Sequence, residues 1–472
     1  LITIQIGQCG NQIGCKFWDL ALREHADLSQ NKGIYDDALS TFFRNVDTRY
    51  GSDIPYNEKK KTKIQSLKAR AVLVDMEEGV LNGLLKGNLG ELFDQRQMLS
   101  DVSGSGNNWA HGHIVYGSQY HDVLENRIRR ATEMCDSLQC FFLMHSLGGG
   151  TGSGLGTYIL QLLRDNYPDV YRFTTNIFPS ENDDVVTSPY NSMLSLRELT
   201  EYADCVLPIE NQALMDMCNR INSMAAKKNM LKPQEYDDEA TLQYRKESKK
   251  SKTPYGMMNN IAANLLIHLT SSMRFEGSLN VDLNEITMNL VPFPRLHYLI
   301  PSLSPLVMPK DVKLPERRSK QMFLDAFDKD YQLMKCDPKH STYLACGLMV
   351  RGASVKISDI NANIERMKKD MKMVHWNSDG FKVGICNVPP LGQPYSLLCL
   401  ANNCCIADRF EIMTKRMTNL YSKRAYVHHY TDLGMDSHQF DESLEVINQL
   451  IDDYRDVGMS PPPSEKPRFV PP

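Results

Sequence analysis

The 472-residue chain lacks several features that would assign it to a class at once. Its 12 cysteines include no CxxC pair, so a zinc site of the usual spacing is not expected. No apolar run approaches the length that crosses a bilayer. Basic residues are not in excess: 53 Lys and Arg stand against 57 Asp and Glu, a formal net charge of −4. That balance removes the broad positive footprint of a nucleic-acid binder. The opening "LITIQIG" is expected to be a strand rather than a leader, and, with no Met at position 1, a few residues are expected to precede it. A long chain without a secretion signal points to reduced thiols and the cytosol. Most of the cysteines then read as small buried hydrophobes, with Cys9 set apart by its place in the chain.

What is present is a strand–helix alternation. "ITIQIG" (2–7) runs into "QCGNQIGCKFWDLALREH" (8–25), where Ile13, Phe17, Leu20 and Ala21 line one helical face. "RAVLVDME" (70–77), "CFFLMHS" (140–146), "YRFTTNIFPS" (171–180) and "DCVLPIEN" (204–211) read as further buried strands. Such alternation predicts a doubly wound parallel sheet, whose ligands bind beyond the carboxyl ends of the strands.

Between a strand and a helix lies "SLGGGTGSGLG" (146–156), with six glycines in eleven positions. After it Leu155, Tyr158, Ile159, Leu162 and Leu163 fall at helical spacing. Backbone N–H groups at a helix start favour an anion, and the run reads as a phosphate cradle. Thr151 and Ser153 are placed to cap the helix or to touch a ligand oxygen. A side chain at Gly150 or Gly152 is expected to block approach of phosphates. The cradle is not a Walker A loop, because Leu155 and Gly156 stand where Lys and Ser or Thr are needed. It also has no Gly-x-Gly-x-x-Gly spacing. Other strand ends carry a coherent set: Gln8 and Cys9; Asp75 and Glu77; Gly104, Gly106 and Asn107; Asp183 and Asp184; Asn211. Each alone is weak, but their convergence suits one nucleotide pocket.

Further along, the run from Lys227 to Lys252 holds eight Lys or Arg against five Asp or Glu, with little apolar periodicity. It reads as a solvated loop, as does "NEKKKTK" (57–63). "YGMMNNIAANLLIHLTSSMRF" (255–275) reads as one long central helix with Met258, Ile261, Ala262, Leu265 and Leu269 as its stripe. After a helix and strand in 276–306, strands recur at 343–351, 382–388 and 396–402, a second α/β layer domain. The remainder is nearly all helix to Val457, followed by a proline-rich tail expected to be disordered. The expected divisions are 1–212, 213–254, 255–275, 276–407, 408–457 and 458–472.

"GQCGNQIG" (7–14), "GSGNNWA" (104–110), "HSLGGGTGSGLGT" (145–157), "SPYNS" (188–192), "RFEGSLNVDLNEI" (274–286), "NLVPFPRLHYL" (289–299) and "CDPKHSTYLACGLMVRG" (336–352) occur in that order. In these segments, and on to about Val457, the chain resembles the tubulin family. Within it the epsilon branch fits best, on "ADCVLPIENQ" (203–212), "NNIAANLL" (259–266) and the insertion at 225–252.

The resemblance implies a pocket for GTP or GDP with Mg²⁺. Gln8, Cys9 and Gln12 would stand near phosphate and base, and Asp75 and Glu77 near the metal. Gly106, Asn107, Ser146, Gly149, Gly150, Thr151 and Gly152 would form the phosphate loops, with Asp184 at the ribose. Asn211 and Asn259 would read guanine and Tyr255 would stack on it. The family's acidic ribose contact before Pro-Tyr-Asn is Ser188 here, which removes a charged acceptor. By the same resemblance Glu285, with Asp282, would act in trans on the nucleotide of the next subunit in a head-to-tail contact, making the chain a candidate assembly-dependent GTPase. The epsilon-like branch implies the cytoplasm and cytoskeleton, at centrioles, basal bodies and the centrosome, with other tubulins and centriolar proteins as partners. Nucleic acid and membrane insertion are not expected.

Two readings compete. An ordinary microtubule lattice subunit is disfavoured by the short stretch between 304–306 and 321–323, which in alpha and beta members carries the lateral contact, and by a proline-rich rather than glutamate-rich end. A stand-alone Rossmann-type enzyme lacks its glycine fingerprint.

Overall fold

The computed structural model describes residues 1–29, 33–56, 62–180, 183–229, 254–306, 319–353 and 355–460. The charged run beyond 229, residues 57–61 of the other charged segment, residues 307–318 of the shortened stretch and the tail from 461 lie outside the described residues.

The amino-terminal half is built on six parallel strands: β1 (Ile2–Ile6), β2 (Ala71–Asp75), β3 (Met98–Ser100), β4 (Cys140–Ser146), β5 (Tyr171–Phe178) and β6 (Cys205–Glu210). Their spatial order is β3-β2-β1-β4-β5-β6, so the winding reverses between β1 and β4. A crevice opens at the carboxyl ends of strands at such a reversal. Helices α1 (Gly7–Ser29), α2 (Gly117–Glu133), α3 (Gly156–Asn166), α4 (Ser188–Tyr202) and α5 (Asn211–Asn229) connect or follow these strands. Two short antiparallel pairs, Ile34–Tyr35 with Thr62–Lys63 and Phe43–Val46 with Ser66–Ala69, form their own small sheets.

The period of two along the strands sorts the core into layers. Ile2, Ile4, Ile6, Val72, Val74, Phe141 and Leu143 pack with Leu124 and Ile128 of α2 and with α3 and α4. Leu73, Phe142, Met144, Phe173 and Leu207 face Phe17 and Trp18 of α1 on the other side. That second layer is shared with the central helix α6 (Pro254–Leu269), whose Met258, Ile261, Ala262, Leu265 and Leu269 are all buried, as the pattern predicts.

The central helix is shorter than its apolar pattern implies. It ends at Leu269, and a separate turn, Ser271–Arg274, follows. Thr270 Oγ1 donates to the carbonyl of Leu266 at 2.8 Å and Ser271 Oγ to that of His268 at 2.8 Å, so hydroxyls occupy acceptors at the helix end.

Beyond it, α7 (Leu283–Leu290) precedes a mixed sheet of β7 (Leu299–Ser304), β8 (Thr342–Gly352), β9 (Lys372–Met373), β10 (Phe381–Cys386) and β11 (Tyr395–Asn403). Strand β8 runs parallel to β9 and β10 and antiparallel to β11, which pairs antiparallel with β7. One face packs on α8 (Ile357–Met367) through Ile360, Ile364 and Met367. The two halves are pinned by a buried triad. Glu24 of α1 pairs with Arg274 at 2.8 Å and accepts from Arg351 of β8 at 2.9 Å. Burial alone would raise the Glu24 carboxyl, but the two guanidinium groups outweigh it and hold it below the usual range.

Two long carboxyl-terminal helices, α9 (Ile406–Tyr421) and α10 (His438–Met459), lie against α4 through Phe410, Met417, Phe440 and Ile447. The turn between them reaches the amino-terminal loops: the carbonyl of Ala425 accepts from Tyr190 at 2.8 Å and that of His429 from Asn108 at 2.8 Å.

Candidate functional site

At the winding reversal the ends of β1 and β4 interlock. Gly7 has φ +70°, and a Cβ there would come within 3.2 Å of the Gly152 nitrogen. A Cβ at Gly10 would run into the Met144 carbonyl of β4. Both glycines let α1 start hard against the neighbouring strand end.

A cavity of about 700 Å³ opens there. Among the expected site residues, Gln8, Cys9, Gln12, Ser146, Gly149, Asn211, Tyr255 and Asn259 line it. Asn259 Nδ2 donates to Gln12 Oε1 at 3.2 Å, which fixes the amides of α6 and α1 relative to one another. Asn211 begins α5 directly after β6, and Tyr255 opens α6 with an exposed ring. Burial pushes the Cys9 thiol up to about 12, so it stays protonated and unreactive at neutral pH.

The glycine-rich turn after β4 lines the cavity through Ser146, Gly148 and Gly149, a second turn packs against it, and the details differ from expectation. A side chain at Gly150 would not enter the cavity. It would strike Ser105 Oγ and the backbone of Asn108, and one at Gly152 would meet Ser146 at 2.9–3.0 Å. Gly150 therefore permits the two turns to pack on each other, and Gly152 lets the cradle fold back against the end of β4. Gly149 is the open one, with nothing nearer than 3.8 Å. Ser153 is fully buried and its hydroxyl turns back on the carbonyls of Gly149 and Gly150, while Thr151 Oγ1 lies 3.0 Å from Ser105 Oγ. Neither caps the helix, because the chain enters α3 through a wide π-type turn at Thr151–Leu155.

Gly106 and Asn107 both take the left-handed region, with φ +58° and +54°. Neither is part of the cavity lining; both are exposed, and Asn107 Oδ1 would lie 3.8 Å from a Cβ at Gly149, which does line it. Asn191 of α4 holds the turns together: Nδ2 donates to the carbonyls of Asn107 at 2.8 Å and Gly148 at 2.9 Å. Its Oδ1 accepts from Trp109 N at 2.9 Å and from the Tyr430 hydroxyl at 2.7 Å.

Asp184 is exposed and does not line the cavity; its neighbour Asp183 does. The Ser188 hydroxyl, at the first residue of α4, donates to Asp183 Oδ2 at 3.0 Å and turns that carboxylate to the wall, which leaves the next residue outward. Lys16 and Cys15 also line the cavity and were not expected. Gln8, Gln12 and Lys16 are spaced by four, one stripe of α1, and that spacing was the available signal.

Asp75 ends β2 buried. Its Oδ1 takes a long bond from Glu77 N at 3.4 Å, and its Oδ2 has no partner among the described residues. Burial raises this carboxyl to about 6, and the charge of Glu77 pushes the same way. An unpartnered buried carboxylate oxygen is the kind of donor a hard divalent cation completes.

Asp282 and Glu285 lie apart from the cavity lining, on α7. Asp282 caps that helix, accepting from Glu285 N at 2.7 Å, so its oxygen is already engaged in a structural role. Glu285 pairs with Lys382 of β10 at 2.8 Å and stays about half exposed. Nearby, Phe293 and Trp376 meet edge to face with centroids 5.7 Å apart, both exposed, and Met288 of α7 is 74% exposed.

No helix among the described residues is long and apolar enough to cross a membrane. Comparison with known proteins agrees with the architecture. The description "Tubulin/FtsZ family, GTPase domain" matches residues 1–219, and "Tubulin C-terminal domain" matches residues 294–415. The chain is 54% identical over 474 residues to the tubulin epsilon chain of Homo sapiens, spanning 99% of this chain and 98% of that protein. It is 54% identical over 457 residues to the tubulin epsilon chain of Mus musculus, spanning 97% and 95%.

Proposed function

Because the chain belongs to the tubulin family, as an epsilon-like member, we propose that it is a GTP-binding structural subunit. In this reading it makes head-to-tail contacts with other tubulins and organises microtubules at centrioles and basal bodies. The observation that carries it is the cavity at the winding reversal, with glycine turns at one end and the amides of Asn211, Asn259 and Gln12 at the other. Amides present both a donor and an acceptor, which the edge of guanine requires. The exposed ring of Tyr255 supports stacking on the base.

Asp75 and Glu77 fit a Mg²⁺ ion, on the unpartnered buried oxygen of Asp75. Such an ion, when bound, neutralises phosphate charge. Glu285 is proposed to orient water at a neighbour's nucleotide, and Met288, exposed one turn along α7, supports a docking face there. Asp282 is proposed to support that role through its second carboxylate oxygen, since Oδ1 caps α7.

The test is melting with GTP, GDP and ATP. A ligand at a hundred times its Kd stabilises by about 2.7 kcal/mol, so GTP and GDP should raise the melting temperature and ATP should not. An equal shift with ATP would refute the guanine reading. For the trans role, Glu285→Ala should leave the chain's own GTP binding intact and slow hydrolysis only in the assembled state.

A further inference from the structure

Helix α2 carries three side chains that neither the core nor the nucleotide cavity uses: His121, Asp122 and Glu125. Glu125 stands four residues after His121 and three after Asp122, so all three share one face. One ring nitrogen of His121 and one carboxylate oxygen from each acid lie within 4.8 Å of one another.

Two acids alone on a helix surface are an ordinary solvated face. The imidazole changes this, because it is held from behind. His121 Nδ1 lies 2.8 Å from the hydroxyl of Tyr158 on α3. The Tyr158 ring is seated on the bare start of α2, where a Cβ at Gly117 would come within 2.6 Å of it. Burial, and then the charge of Asp122, push the Tyr158 hydroxyl up, so it stays un-ionised beside the imidazole. Glu125 Oε1 takes a long bond at 3.4 Å from Asn166, the last residue of α3. Two of the three groups thus have an orienting partner on the neighbouring helix. Metal-bound imidazoles are held in this way, with one nitrogen on the ion and the other on a fixed hydrogen-bond partner.

We propose that His121, Asp122 and Glu125 bind a zinc ion at the surface where α2 meets α3, with water completing its shell. An imidazole nitrogen and two carboxylate oxygens suit Zn²⁺, whereas Ca²⁺ and Mg²⁺ take oxygen ligands. The site needs none of the cysteines. Binding at Nε2 selects the tautomer whose Nδ1–H donates to the Tyr158 oxygen, which makes Tyr158 the positioning residue. The ion joins α2, which follows the turn at Gly106 and Asn107, to α3, which follows the cradle.

The experiment adds Zn²⁺ to the full chain and follows carbethoxylation of His121 by diethyl pyrocarbonate, read peptide by peptide in the mass spectrometer. Zn²⁺ should slow that modification several-fold and Mg²⁺ should not. Asp122→Asn combined with Glu125→Gln should abolish the protection. In calorimetric titration His121→Ala should lose one zinc site relative to the unaltered chain, since zinc held by thiols is common to both. Tyr158→Phe keeps the ring and removes the hydroxyl; it should weaken this site about 10–100-fold and leave the metal-free melting temperature unchanged. Carbethoxylation of His121 indifferent to Zn²⁺, or equal zinc stoichiometry and affinity in His121→Ala, would overturn the inference. Unaltered zinc affinity in Tyr158→Phe would overturn the positioning role.

Discussion

Replacing Asn191 with leucine removes a side chain of similar size and four hydrogen bonds at once. The four partners do not suffer equally. The carbonyl of Asn107 keeps the Thr187 hydroxyl at 3.1 Å, and the Tyr430 hydroxyl keeps a long contact with the Thr187 carbonyl at 3.5 Å. The N–H of Trp109, a fully buried residue, and the carbonyl of Gly148 have no other partner of comparable geometry among the described residues. A buried group left unpaired costs about 1–3 kcal/mol. Two such groups and a weakened third give a loss of roughly 3–5 kcal/mol, a large part of what keeps a domain folded. Because the same side chain joins the turn at Asn107 to the first glycine of the cradle, GTP affinity should fall with it. Tyr430→Phe removes a single donor and should cost about 1 kcal/mol, less when combined with Asn191→Leu than alone. Urea denaturation and GTP titration of the three variants provide the check. If Asn191→Leu costs less than 1 kcal/mol and binds GTP within twofold of normal, the reasoning fails.

Glu24→Ala would leave Arg274 and Arg351 buried side by side without their counter-charge, and should destabilise by about 3–5 kcal/mol; a change below 1 kcal/mol in denaturation would contradict the pinning role. Acid should weaken the protein through its buried histidines. Burial lowers His25 to about 3 and His145, His268 and His297 to about 4, with Arg274 adding to His25 and Arg351 to His268. In the unfolded chain these groups take up protons near 6.5, so the unfolded state binds more protons and stability falls as pH drops from about 6.5 toward 4. Each contributes about 1–2 kcal/mol between pH 7 and pH 5. Denaturation midpoints at pH 7, 6 and 5 should therefore fall in that order, and an equal or higher midpoint at pH 5 would count against neutral buried histidines.

The strands were legible because most are covered on both faces. "CFFLMHS" and "RAVLVDME" are near-continuous apolar runs; the first appears as β4 with the same ends, and the second as β2, one residue shorter at its start and two at its end. The cradle was legible from its position between strand and helix. What each glycine does was not, since whether a missing Cβ faces a ligand or a neighbouring turn depends on Ser105 and Asn108, some forty residues earlier in the chain. Asp183 and Asp184 are adjacent acids that composition cannot separate; a single serine hydroxyl from α4 chooses between them. The early end of the central helix escaped because Thr270, Ser271 and Arg274 continue an acceptable helical pattern while their side chains bond elsewhere. Asp282 is a carboxylate at a helix start that caps α7 through Oδ1, a contact its sequence position did not show.

The turn between α9 and α10 has a consequence for how the molecule can be sensed. It is held by its backbone carbonyls, through Tyr190 and Asn108, and by Tyr430 on Asn191. Arg424 and Tyr426 are fixed in the left-handed region, and the Tyr426 ring is 40% exposed. The outer surface and the cradle thus share one hydrogen-bonded frame. If an occupant of the cradle shifts that frame, a protein gripping the turn would feel it, and by thermodynamic reciprocity each would change the other's affinity by the same factor.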